Sequence, residues 1–187
     1  MHEKSKYAGR GGDKLRHVID VLALDPTGRT AADLGCNVGG FTDCLLRAGA
    51  CRVYSVDTGY GTLDWKLRND PRVTVMERTN ALHVELPEQV DIVASDVAWT
   101  KQERIVPAAL RLLASGGVLL SLFKPQYEAP PRLVKKGIVA PEHFEDVLAS
   151  VLDRLKAINI PEPRIIPLPA SRSGKNLEAF LFFRRQT

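Results

Sequence analysis

The chain has 187 residues, 44% hydrophobic and 26% charged, and its 26 Lys and Arg against 22 Asp and Glu leave a net charge of +4. That balance belongs to a globular protein, most simply a single domain over residues 1–187, able to bury roughly 70% of its unfolded surface. It excludes a membrane-spanning chain, since no apolar run nears the ~20 residues a span needs, and the charged start Met1–Lys6 lacks the apolar segment of a secretory leader, so a cytoplasmic protein without a membrane partner is expected.

Residues 1–10 read as a basic tail, and Lys4, Lys6, Arg10, Lys14 and Arg16 outnumber Glu3 and Asp13 there and just beyond. A helix is predicted over Lys14–Leu24. From Arg29 onward short β-branched runs alternate with amphipathic stretches. The predicted strands are Thr30–Leu34, Arg52–Asp57, Val73–Met76, Val90–Ser95, Val118–Phe123, Arg164–Leu168 and Leu177–Phe183. The intervening helices are predicted over Phe41–Ala48, Leu63–Asn69, Arg104–Ala114 and His143–Ala157. The last is the clearest, with Phe144, Val147, Leu148, Val151, Leu152 and Leu155 on one face, Pro141 before it and Glu142, Glu145 and Asp146 at its positive end. Residues 125–141 show no periodicity and are read as a rim or lid over the sheet edge. Further cations lie at Arg132, Lys135, Lys136, Arg172, Lys175, Arg184 and Arg185, which would meet phosphates if they face one side.

Strands separated by helices imply a largely parallel sheet with right-handed crossovers. The last two are joined only by Pro169–Asn176, too short for a helical crossover, so they should pair antiparallel. The expected fold is therefore α/β and Rossmann-like, a seven-stranded, mostly parallel sheet ending in an antiparallel hairpin.

Asp33-Leu34-Gly35-Cys36-Asn37-Val38-Gly39-Gly40-Phe41 reads as a strand running through a glycine-rich turn into a helix, the place where a parallel sheet holds a nucleotide-like cofactor. Asn37 occupies the second glycine position of the dinucleotide fingerprint, and no Lys-Ser or Lys-Thr follows, so neither a dehydrogenase turn nor a P-loop is present. Gly35, Gly39 and Gly40 let the backbone approach a ligand. Asp57, ending the second strand with Thr58 after it, sits where an acid takes ribose hydroxyls. Carboxylates at Asp33 and Asp57 suit a cationic ligand better than a phosphate, and S-adenosylmethionine has that charge pattern. Asp96 and Lys124 follow later strands on the same sheet edge. Cys36, Cys44 and Cys51 are odd in number without C-x-x-C spacing and read as small buried side chains. His17, His83 and His143 are scattered, so no metal site is expected.

Several segments occur in a telling order: Arg10-Gly11-Gly12-Asp13-Lys14-Leu15, the turn through Gly39-Gly40-Phe41-Thr42-Asp43-Cys44-Leu45, Val53–Asp57 with Gly59-Tyr60-Gly61, and Trp65-Lys66-Leu67-Arg68. Met76-Glu77-Arg78-Thr79-Asn80, Ser95-Asp96-Val97 and Lys124-Pro125-Gln126-Tyr127-Glu128 then follow. This string resembles the FtsJ-like ribose 2′-O-methyltransferases of RNA, and within them the TlyA, or haemolysin-A-like, branch. The resemblance implies S-adenosylmethionine at the strand ends and a lysine–aspartate–lysine–glutamate tetrad at Lys14, Asp96, Lys124 and Glu178. It implies cofactor contacts at Asp33, Gly35, Asn37, Gly39, Gly40, Phe41, Asp57, Thr58, Thr79, Asn80 and Asp96. Members of that branch usually carry a small RNA-binding domain ahead of the methyltransferase region, where only the basic tail is read here. Val97-Ala98-Trp99-Thr100 replaces the usual Val-Ser-Phe-like segment.

A ribose 2′-hydroxyl is a poor nucleophile, so transfer needs in-line alignment and removal of its proton. A lysine removes it only if its pKa falls from about 10.4 through desolvation or a nearby cation. Lys124 is the expected base or hydroxyl-orienting group, with Lys14, Asp96 and Glu178 in support. Trp65 is read as packing, and Trp99 as core or rim packing, with stacking on a substrate base, worth about 1–3 kcal/mol, as the alternative. RNA is the expected partner, most simply ribosomal RNA or a ribosomal subunit, and the oligomeric state is open. The alternative is a non-catalytic RNA-binding or ribosome-assembly factor retaining the fold. A membrane-active protein is discounted for want of a span or a strongly basic amphipathic helix.

Overall fold

A computed structural model describes residues 5–169 and 176–186 of the chain. Along it run α1 (Gly11–Leu22), β1 (Thr30–Leu34), α2 (Gly40–Arg47), β2 (Arg52–Val56), α3 (Trp65–Arg68), β3 (Val73–Met76), β4 (Val90–Ser95), α4 (Gln102–Leu112) and β5 (Leu113–Phe123). There follow α5 (Pro125–Glu128), the short strands β6 (Val134–Lys135) and β7 (Ile138–Val139), α6 (Phe144–Ala157), β8 (Arg164–Pro167) and β9 (Ala179–Arg184). The main sheet has seven strands in the order β3-β2-β1-β4-β5-β9-β8. The pairings among β1 to β5 are parallel, while β9 runs antiparallel to both β5 and β8. Strand order reverses between β1 and β4, and ligands of open α/β sheets bind outside the strand ends at such a crevice.

Alternation along the strands divides the apolar interior between the two faces of the sheet. Ala31, Val53, Ile92, Ala94 and Leu120 pack with Leu15, Val18 and Ile19 of α1 and Phe41, Cys44 and Leu45 of α2. Ala32, Leu34, Val93 and Leu119 pack with Ile105 and Ala109 of α4 and Val147, Val151 and Leu155 of α6. Both faces are therefore covered, which leaves the strand ends as the place for chemistry. Among the described residues no helix is long and apolar enough to cross a membrane.

Four differences from the sequence reading bear on the site. First, residues 5–10 are not a loose tail: Tyr7 is buried, and the Ala8 amide donates to Asp43 Oδ2 at 2.9 Å. Consequently α1 begins at Gly11, where a Cβ on Gly40 would stand 3.0 Å from the Gly12 nitrogen and 3.1 Å from the Gly9 carbonyl oxygen. Glycine is needed where these two helix starts cross. Second, β5 begins at Leu113, straight out of α4, earlier than the predicted Val118. Third, the stretch 125–141 is ordered by α5 and the β6–β7 hairpin, both too short for periodicity to register. Fourth, Cys36 and Cys44 are buried but Cys51 is exposed, and Trp65 is 74% exposed, whereas Trp99 stands at the rim against the Tyr127 ring. Lys4, Arg172 and Lys175 lie outside the described residues.

Candidate active site

The turn after β1 is anchored by backbone geometry. The amides of Gly35 and Cys36 both donate to the Val56 carbonyl, at 2.8 and 3.0 Å, tying the turn to the end of β2. Asn37 stands in the left-handed region at φ 48°, and its amide donates to Asp57 Oδ2 at 2.8 Å. Asp57 Oδ1 accepts from the Gly59 amide at 2.7 Å. One carboxylate thus braces the cofactor turn and the next loop, and each oxygen keeps a lone pair for a ligand.

Asp33 lies fully buried beneath the turn. Its Oδ2 accepts from the Thr42 amide at 2.9 Å and the Thr42 hydroxyl at 2.7 Å, whereas Oδ1 has no hydrogen-bond partner among the described residues. Burial pushes the carboxyl up to about 7, against the downward pull of the Thr42 bonds. An orphan carboxylate oxygen there is the complement of a cationic ligand group.

Two clefts meet over this turn. One, of about 930 Å³, is lined by Asp33 at its floor and by Gly35, Asn37, Gly40, Phe41, Lys14 and Glu178. The other, of about 390 Å³, is lined by Asp57, Thr58, Thr79, Asn80 and Lys124. Gly35, Asn37 and Asp96 border both. Volumes of this size suit a nucleoside-bearing cofactor. The sulfonium and amino groups of S-adenosylmethionine fit a site whose floor and wall carry Asp33 and Asp57, and when bound it supplies an activated methyl group.

Asp96, directly after β4, and Lys124, directly after β5, form an ion pair across adjacent strand ends. Lys14 of α1 pairs with Glu178, just before β9, at 2.5 Å. Burial raises the Asp96 carboxyl, while Lys124 first and Lys14 second pull it down and Glu178 pushes it up, so the four groups share one electrostatic neighbourhood. The N-terminus of α1 also faces this point: a Cβ on Gly11 would stand 3.9 Å from Asp96 Oδ2. A helix start favours a carboxylate.

Lys14, Asp96, Lys124, Glu178 and most of the expected cofactor positions therefore come together on one sheet edge. Gly39 is the exception. It lines neither cleft, and a Cβ there would stand 2.4 Å from Leu67 Cδ1 and 2.7 Å from Leu63 Cδ1, so the position serves packing. Sequence reasoning missed Ser5, Arg10, Gln126 and Asn176, which line the larger cleft. The Gln126 Oε1 atom is buried without a partner among the described residues. Its place two residues after Lys124 was the available signal.

The Asp33 geometry carries a pH prediction. The raised folded-state value means that the protonated carboxyl is preferred without ligand, so its stabilising contribution is full below about 4 and is lost as pH rises through about 7. A cationic ligand favours the ionised form, so S-adenosylmethionine binding should tighten with pH by up to about tenfold per unit below 7 and release a proton. Calorimetry between about pH 5.5 and 6.7, at least about one unit below the 7.7–8.0 of an α-amino group, should show the slope, and Asp33→Asn should flatten it. A pH-independent affinity in the wild-type chain would remove Asp33 from ligand binding.

Comparisons with known proteins agree with this geometry. The FtsJ-like methyltransferase family matches residues 7–185. The 16S/23S rRNA (cytidine-2′-O)-methyltransferase TlyA of Mycobacterium tuberculosis is 34% identical over 187 aligned positions, covering 97% of this chain and 69% of that protein. A solved Streptococcus thermophilus structure, provisionally described as a hemolysin, superposes with a TM-score of 0.88 at 31% identity, over 100% of this chain and 70% of that one. An S-adenosylmethionine-dependent methyltransferase from Mesorhizobium loti shares the fold, with a TM-score of 0.66 at 16% identity over 90% of this chain and 96% of that one. With its glycine turn, seven-stranded sheet and a family match over nearly its whole length, the chain belongs to the FtsJ-like methyltransferases.

Proposed function

We propose that the chain transfers the methyl group of S-adenosylmethionine to a ribose 2′-hydroxyl of RNA, with ribosomal RNA as the substrate. The observation that carries this reading is the meeting of two lysine–carboxylate pairs at Asp96, where the two clefts join. A hydroxyl nucleophile needs a positioned group to take its proton, and a lysine set by a carboxylate can supply one. Lys124, held by Asp96, orients the hydroxyl and, once it has released a proton to become the neutral amine, takes the hydroxyl proton as the oxygen bonds to the methyl carbon and the sulfur–carbon bond breaks. Lys14, held by Glu178, steadies the negative charge that develops on the ribose oxygen. The exposed cations Arg132, Lys135 and Lys136 stand on and beside the β6–β7 hairpin, whose Ile138 lines the larger cleft. They are placed to meet RNA phosphates as a ribose enters.

The test is transfer from labelled S-adenosylmethionine to naked ribosomal RNA and to assembled subunits, followed by alkaline digestion. Label in an alkali-resistant dinucleotide is the expected result, and the better of the two substrates identifies the form acted on. Label in a base would overturn the ribose assignment. Absence of both label and cofactor binding would leave an RNA-binding or assembly role for the fold.

A further inference from the structure

The carboxylate of Glu128 is only 4% exposed and takes no part in the chemistry above. It lies at the end of α5, four residues after Lys124. Its Oε1 accepts from the Gln102 amide at 2.8 Å, and its Oε2 from Arg154 of α6 at 2.5 Å. Arg154 also pairs with Glu103 at 3.1 Å.

The Gln102 amide opens α4, where the first N–H groups lack partners within the helix. Lys101, at the cap position, supplies no side-chain acceptor, so Glu128 caps this helix from 26 residues away. The Gln102 side chain continues the network: its Nε2 donates to the Leu122 carbonyl at 3.1 Å, and its Oε1 accepts from the Ser121 hydroxyl at 2.7 Å. Two segments are thereby fastened to each other. One leaves β4 at Asp96 and reaches α4, and the other leaves β5 at Lys124 and forms α5. Their outer parts touch again through Trp99 and Tyr127, whose ring centroids are 5.0 Å apart.

Burying a carboxylate is costly unless every lone pair it presents is used. A helix start could be capped by an exposed Ser or Asp at far less cost. What the buried carboxylate adds is a link between the exits of neighbouring strands. We propose that Glu128 is a positioning residue, which through Gln102 and Arg154 sets the spacing of Asp96 and Lys124. The inference rests on the methyltransferase reading for its kinetic consequence, but its geometric claim stands apart from that reading.

Two measurements test it together. In Glu128→Ala, kcat at saturating RNA should fall about 10- to 100-fold, the scale of an ångström-sized misplacement, with S-adenosylmethionine affinity within about twofold. Glu128→Gln keeps an acceptor for the Gln102 amide but turns an NH2 toward Arg154, so it should recover part of the rate. Val151→Ala, a cavity in the buried face of α6, serves as a control that lowers stability without touching the network and should keep kcat. Amide exchange should show the hydrogen-bonded amides of Arg104 and Ile105 at the start of α4 and of Tyr127 and Ala129 around α5 losing protection together in Glu128→Ala. Unchanged kcat in a folded Glu128→Ala protein, or loss of protection in one segment alone, would overturn the proposal. If the wild-type chain transfers no methyl group, the function reading fails, while the exchange experiment still decides for or against the brace.

Discussion

Lys124→Met should lower kcat for methyl transfer by about 10² to 10⁴, the usual worth of a positioned acid–base group, with S-adenosylmethionine still bound. Lys124 forms its ion pair with Asp96, whose carboxyl burial already raises. Deleting the cation therefore drives Asp96 to take up a proton instead of stranding a buried charge, and the variant should remain folded. Lys124→Arg separates two roles. A guanidinium keeps the charge and the pairing with Asp96 but does not surrender its proton at any working pH. If Lys124 accepts the hydroxyl proton, the arginine variant should be as slow as the methionine one. If it only orients the hydroxyl, arginine should restore part of the rate. Single-turnover kinetics with excess enzyme would read either result without interference from product release.

The parts of the fold that were legible in advance are those set by local patterning. Thr30–Leu34, Val73–Met76 and Val90–Ser95 match their predicted bounds, because each is an apolar or β-branched run that alternates between two covered faces. The site residues on strand ends, Asp96 and Lys124, followed from those bounds. Lys14 and Glu178 did not: nothing local says that α1 starts beside Asp96, and their placement came from resemblance to a family. The insertion of β9 between β5 and β8 depends on which strand edge is available, a tertiary matter that a short connector leaves open. The brace was invisible for a different reason. Glu128, Gln102 and Arg154 are polar residues in otherwise apolar or amphipathic stretches, where each alone reads as a solvated side chain. Only the fold shows that they are partners. The glycines carry a second requirement that local sequence does not show: a Cβ at Gly39 or Gly40 would meet protein, so both positions are also needed for internal packing, while Gly40 still lines the larger cleft.

Gly35 shows how closely cofactor turn and catalytic strand end are joined, and Gly35→Ala should impair both. The residue has φ 85°, a conformation that costs an alanine about 1–2 kcal/mol. An added Cβ would also stand 2.9 Å from the Asp96 carbonyl oxygen and 3.1 Å from its carbonyl carbon. Those are backbone atoms of the neighbouring strand exit, where the Asp96 amide donates to the Leu34 carbonyl at 2.9 Å, so no side-chain rotation relieves the contact. Either the turn moves away from β4, spoiling the cleft above Asp33, or Asp96 moves and takes Lys124 with it. Gly61→Ala isolates the first cost, because Gly61 has φ 71° and a Cβ added there would meet nothing within 4 Å. Gly61→Ala should lose about 1–2 kcal/mol from backbone strain, and Gly35→Ala that much plus the cost of its contact with the Asp96 backbone, both measured by denaturant titration. Only Gly35→Ala should lose a further factor of about 10 to 100 in kcat/KM, the scale expected when reacting groups shift by about an ångström. Equal kinetic losses in the two variants would mean that the turn tolerates displacement, and that the contact between Gly35 and Asp96 does not set the catalytic geometry.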